Sequence, residues 1–331
     1  MPNPAALMGL VTMFPRSTSL GGPRAGGLAA LALALLLALG AEPGLAAPAA
    51  AEGPTALNQS PAHGGFEQGL LFRVDPPGDA EPSWLFGTIH SHDPRVLDLP
   101  AEVEDALADA RGLAIEVVPD DEAMRAAQAR MLFGDSDSLR GLLPPDLYRE
   151  TVAALAQRGL PEAAAGRFKP WAVVMLLSMP PGASSEILDL QLQQRARAAG
   201  KPVVGLESVT EQLAVFEDFS AADQVALLED ALAGRDALPE TFERLTRAYL
   251  ARDLAGLLSL EQEQLVAGDP ALAARFRRAL VDERNLRIAR RLAPLLQEGG
   301  HFVAVGALHL PGDGGLLDRL REAGYKVQCV Y

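Results

Sequence analysis

Two histidines stand at matching places near opposite ends of the chain. His90 closes the run "WLFGTIH" and His309 closes "FVAVGALH", each three residues after a glycine, Gly87 or Gly306, that ends an apolar stretch. Glycine at a strand end permits a bend or a close backbone approach, and the imidazole then projects beyond the strand. An imidazole so placed can ligate a metal or move protons near neutral pH. Singly, either could be a structural histidine satisfied within a core; as a repeated pair they favour one shared site.

Two carboxylates lie in surroundings wrong for charge. Glu116 interrupts "LAIEVV" and Glu207 follows "VVGL", both in or at the end of strands with apolar neighbours. An unpaired ionised carboxylate in a core is costly, so each should meet a cation, a metal or a hydrogen-bond donor, unless it faces water from an edge strand. Two such acids with two histidines match the ligand set of Zn²⁺, Mn²⁺ or a related divalent ion. Arg284 is a third anomaly: the spacing Phe276, Leu280, Arg284, Ile288, Leu292 sets an arginine in an apolar helical stripe, with Asn285 beside it. Such a guanidinium must find a carboxylate or stabilise charge developing on a substrate, unless it snorkels to the surface.

Other features carry less. His92 follows His90 by two residues and belongs to a loop or an outer shell, His63 falls in a linker, and His301 begins a strand at an exposed position. "GDGG" after His309 lacks the Lys-Ser/Thr of a phosphate loop, and no Gly-x-Ser-x-Gly elbow occurs. Cys329, the single cysteine, has no nearby base and is expected to be a buried thiol in the strand "YKVQCVY".

The elements that must position these residues follow from the pattern. "GLLFRV" and "SWLFGTIH" read as a hairpin joined by the turn-rich "DPPGDAEP". A helix over "LPAEVEDALADARG", stopped at Gly112, leads into the strand "LAIEVV". Helical patterns fill about 121–199 and 210–298, separated by a short buried strand in "KPVVGLES". The chain finishes as strand "HFVAVGALH", helix "LLDRLREAG" and strand "YKVQCVY". The fold class is therefore α/β (α+β): a small mixed sheet built from N- and C-terminal strand, Gly-x-x-His, helix, strand units, with a large helical region inserted between them. Strand ends feeding loops are where such folds gather ligand sites, so His90 and His309 are expected at one sheet edge.

Residues 1–47 read as a signal peptide: Arg16 and Arg24 precede an apolar run from Leu28 to Ala41, and small residues follow. The run is short for a membrane span, so the mature form is expected without a stable one, an uncleaved anchor being the alternative. Residues 48–68 read as a linker and 69–331 as a single domain. A lone cysteine allows no intramolecular disulfide, so an exported, periplasmic or secreted chain must rely on its core. The formal net charge of −14 argues against a nucleic-acid partner.

Together "WLFGTIHSHD", "LAIEVV", "LDLQLQQRARAAGKPVVGLES", "DERN" and "FVAVGALHLPGDGGLLDRLREAGYKVQCVY" resemble the TraB/GumN family, whose animal branch is the Tiki metalloproteases. The resemblance spans about 69 to 331. It implies an α/β core with both Gly-x-x-His units in one site and, in the Tiki branch, divalent-metal-dependent peptide cleavage. By position His90 and His309 match the motif histidines, Glu116 and Glu207 the acids of the two strands, and Arg284 the arginine of "ERN". One departure is Ser91-His92, where small or apolar residues are usual. The expected function is an exported, metal-dependent hydrolase of peptide bonds. Mn, Co or Zn would be held by His90, His309 and one or both of Glu116 and Glu207, the other glutamate acting as general base and Arg284 stabilising the oxyanion. The alternative is a non-catalytic periplasmic protein that binds a peptide, a small molecule, haem or a metal in the same pocket.

Overall fold

The computed structural model describes residues 66–179, 187–266 and 269–331. The expected signal peptide, His63 and the linker up to residue 65 lie outside the described residues. Six strands form one mixed sheet: β1 (Leu71–Asp75), β2 (Ser83–Thr88), β3 (Gly112–Val117), β4 (Val203–Glu207), β5 (His301–Gly306) and β6 (Lys326–Cys329), in the order β4-β3-β5-β2-β1-β6. β1 and β2 form the expected antiparallel hairpin. β2, β5, β3 and β4 run parallel, and β6 returns antiparallel to β1. Every residue of β3 and β5 is buried, as central parallel strands covered on both faces require.

The helices needed below are α1 (Ala101–Asp109), α2 (Pro170–Ser178), α3 (Leu188–Ala198), α4 (Val209–Glu217), α5 (Ala221–Gly234), α6 (Leu238–Leu250), α7 (Leu254–Val266), α8 (Pro270–Arg277), α9 (Glu283–Glu298) and α10 (Leu316–Glu322). The hydrophobic α2 packs on α5, and Trp171, Phe216 and Phe276 continue that core as a run of rings with centroids 5.9 Å apart. Between α8 and α9 the backbone makes a π-helical turn, Arg278–Asp282.

Four local expectations need correction. α1 ends on Asp109, and Gly112 is the first residue of β3 rather than the helix stop. A Cβ on Gly112 would lie 3.2 Å from Pro202 Cγ, so its missing side chain serves strand packing. β4 is an edge strand: Val204 and Gly205 are exposed, and only Leu206 and Glu207 are buried. Cys329 is exposed, because β6 is the opposite edge and only its inner side packs. His301 is buried, because β5 lies at the centre of the sheet.

Candidate functional site

The parallel register of β2 and β5 sets Gly87 opposite Val305 and Thr88 opposite Gly306, so the two motif strands end side by side. His90 follows β2 by two residues, and His309 closes a 3₁₀ turn, Ala307–His309, directly after β5. The two glycines do different work. A Cβ on Gly87 would stand 2.7 Å from Leu310 Cδ1 and 3.1 Å from Ala307 Cα, so its bareness lets that turn close onto β2. Gly306 has an ordinary backbone, with φ −52°, and contributes its N–H, which donates to Glu116 Oε1 at 2.6 Å.

Glu116 reaches that N–H because β3 pairs with β5, and Glu207 lies one strand further out, opposite Val117. Arg284, in the first turn of α9 just beyond the π-helical turn, is fully buried between the two acids. Its Nη2 donates to Glu116 Oε2 at 2.5 Å and to Glu207 Oε2 at 2.6 Å, and its Nε donates to the same Glu207 oxygen at 2.8 Å. Arg287, one turn-step along α9, donates to Glu207 Oε1 from Nε at 2.9 Å. Gln212 of α4 donates to Glu116 Oε2 at 3.2 Å. Burial opposes charge on Glu116, but the Arg284 guanidinium, the two histidines and the Gly306 N–H outweigh it and hold the carboxyl down to about 2. Burial also weakens the Arg284 cation, yet its two carboxylates raise its pKa.

His309 is fully buried. Asn285 donates from Nδ2 to the Gly314 carbonyl at 3.2 Å, which turns its Oδ1 toward His309 Nδ1, 2.7 Å away. The Nδ1 must then carry the ring proton and Nε2 is left with a lone pair. That Nε2 is out of water with no hydrogen-bond partner, 3.7 Å from Glu116 Oε1. Burial first, then the Arg284 charge, pushes the His309 pKa down to about 4, so the ring is neutral at pH 7.

The His90 side chain is 3 % exposed, and its Nδ1 lies 2.9 Å from Asp189 Oδ2 of α3. Burial lowers its affinity for a proton, but Asp189 more than compensates and the pKa is raised. His90 also borders a cleft of about 310 Å³ between residues 89–94 and α6, whose walls include Ile89, His92, Phe242 and Leu245. His90, His309, Glu116, Glu207 and Arg284 thus gather around the C-terminal ends of the parallel strands, with His92 on the cleft. The local sequence pattern does not mark Gln212 or Arg287, and it presents Asn285 only as a neighbour of Arg284. Asp189 does carry a signal in the sequence, as a lone acid among Leu188, Leu190 and Leu192.

The chain matches the TraB/PrgY/gumN family over residues 70–329, nearly all of the described residues. It belongs to that family. Among relatives, it is 31 % identical over 299 residues to a zebrafish (Danio rerio) protein named metalloprotease TIKI1, covering 75 % of this chain and 60 % of the relative. It is 30 % identical over 300 residues to metalloprotease TIKI2 of Xenopus tropicalis, covering 75 % and 57 %. The human metalloprotease TIKI1 is 28 % identical, covering 75 % and 59 %. The chain therefore spans about 60 % of the length of these relatives. No solved structure matches it.

A metalloprotease name implies a divalent ion, and the donors present are of the right kind in part. Both imidazoles have a side-chain oxygen at Nδ1, the outer support found behind metal-ligating histidines, and the buried His309 Nε2 lacks a partner. Glu116 Oε1 stands next to it and accepts one hydrogen bond, from the Gly306 N–H, whereas both oxygens of Glu207 accept from arginines. His90, His309 and Glu116 are the side chains that could hold such an ion, and Glu207 is the counter-ion of Arg284 and Arg287. They are not closed around one point: among the described residues no group of three or more His, Cys, Asp or Glu side chains stands ready to hold a metal.

Proposed function

We propose that the chain is an exported hydrolase that cleaves peptide bonds with a divalent ion, Mn, Co or Zn, held by His90, His309 and Glu116. The observation that carries this reading is the unpartnered, buried His309 Nε2 beside an ionised Glu116, with the second motif histidine on the neighbouring strand end. The relatives' names support it. A divalent ion so held supplies Lewis-acid polarisation of the scissile carbonyl and activation of water. The protein's own groups do the rest. Asn285 fixes the His309 tautomer, and the Gly306 N–H and Arg284 keep Glu116 charged and still. Arg284, already engaged with both acids, is assigned to locking them in place rather than to the oxyanion. The cleft beside His90 admits the peptide, its apolar wall of Ile89, Phe242 and Leu245 taking side chains. Export rests on residues 1–47; among the described residues no helix is long and apolar enough to cross a membrane.

The test is metal analysis and peptide cleavage by the purified mature protein incubated with Mn²⁺, Co²⁺ or Zn²⁺, wild type against His309→Ala. Stoichiometric metal and cleavage products seen by mass spectrometry in the wild type, both lost in the variant, are expected. A protein that binds none of the three ions, and whose measured activities survive His90→Ala, would sink the proposal. Metal or peptide retention without turnover would favour a binding protein instead.

A further inference from the structure

Asp189 occupies a position that its neighbours fill with leucine. Leu188, Leu190 and Leu192 are buried on α3, and Asp189 is buried with them, in the helix's first turn. A carboxylate there needs partners, and it has two kinds. Thr88, the last residue of β2, donates its hydroxyl to Oδ1 at 2.9 Å. Oδ2 lies 2.9 Å from His90 Nδ1, and both atoms are out of water and without any other partner. Each can be satisfied only by the other.

We infer that Asp189 is the positioning residue for His90: braced by Thr88, it holds the ring by Nδ1 and commits Nε2 to the site. The inference rests on the proposed function only in taking His90 as a working side chain. A carboxylate accepts and cannot donate, so Nδ1 must carry the proton in this contact. His309 is held in the same sense by Asn285 Oδ1. Both motif histidines are therefore tied at Nδ1 by side chains from helices that the motif itself does not contain, α3 for one and α9 for the other. In the neutral form of each ring the arrangement leaves one acceptor nitrogen, Nε2.

The experiment compares wild type, Asp189→Ala, Asp189→Asn and Thr88→Val. Circular dichroism and thermal melting report folding, Co²⁺ titration followed by absorbance reports affinity, and ¹⁵N-edited NMR of the metal-free protein reports the His90 ring protonation pattern. Asp189→Ala should weaken Co²⁺ binding roughly 10- to 100-fold and lower kcat more than it raises KM. The His90 nitrogen pattern should change as well. Thr88→Val should shift all three in the same direction by less, and Asp189→Asn, which keeps an acceptor, should fall between. Folded variants with the wild-type His90 nitrogen pattern would overturn the assignment whatever the metal result, as would unchanged Co²⁺ affinity in Asp189→Ala. If Asp189→Ala does not fold, Thr88→Val and Asp189→Asn decide by the same readouts. A wild type that binds no Co²⁺ counts against the metal reading, and the NMR comparison still judges Asp189.

Discussion

Arg284 and the two glutamates form a charge cluster that can stand only as a set. Arg284 and Glu207 have no exposed side-chain surface and Glu116 has 4 %, with Arg287 at the margin. Two carboxylates and two guanidinium groups balance, so burial leaves no net charge. Removing the central cation leaves two acids facing each other out of water. Arg284→Met should therefore lower stability by about 3–5 kcal/mol, read from the urea midpoint, or prevent folding. Arg284→Lys should also fall short, because one ammonium cannot span both carboxylates as a planar fork does. Adding Glu207→Gln to Arg284→Met should recover part of the loss, and a double variant weaker than Arg284→Met alone would contradict this account.

At the scale of elements, the π-helical turn Arg278–Asp282 ends where α9 presents Arg284 and Asn285. Such turns recur at functional positions, since the extra residue re-aims the side chains that follow. Beside this turn α7 buries Glu261, whose carboxylate has no hydrogen-bond partner and whose nearest cation is Arg277 of α8, 3.3 Å away. Burial raises its pKa to about 7, with Arg277 opposing and Asp282 assisting. Between the ordinary value of 4.5 and about 7 the folded state holds a proton that the unfolded chain has released, so stability falls as pH rises through that window. Glu261→Gln should remove the effect. The variant should be more stable than wild type at pH 8, by on the order of 2 kcal/mol, and close to it at pH 4.5. Equal melting temperatures at pH 8 would refute this.

For the whole molecule, the sheet closes only when the last thirty residues arrive. β5 separates β3 from β2, and β6 covers β1, where the N–H groups of Leu70 and Leu71 donate to the Tyr331 carbonyl. A chain cut before His301 would leave β2 and β3 without their shared partner, with apolar faces and backbone groups exposed. Such a truncation should show no cooperative unfolding transition by circular dichroism, whereas the full chain should. This arrangement also sets the strand ends that carry His90 and His309 side by side across one of the longest sequence separations in the sheet.

The helical regions, the hairpin and both Gly-x-x-His strands could be read from the sequence, because period, turn residues and strand ends are local properties. Glu116, Glu207 and Arg284 were also legible, since a charge within an apolar pattern must find a partner. Which partner it finds is another matter. The tertiary structure alone decided that Arg284 lies between both acids, that β4 and β6 are edges, and that Asp189 and Asn285 stand behind the two histidines. Strand order and helix docking bring those groups together, and no local pattern encodes them, because each contact joins residues whose own neighbourhoods are satisfied separately by helix or strand.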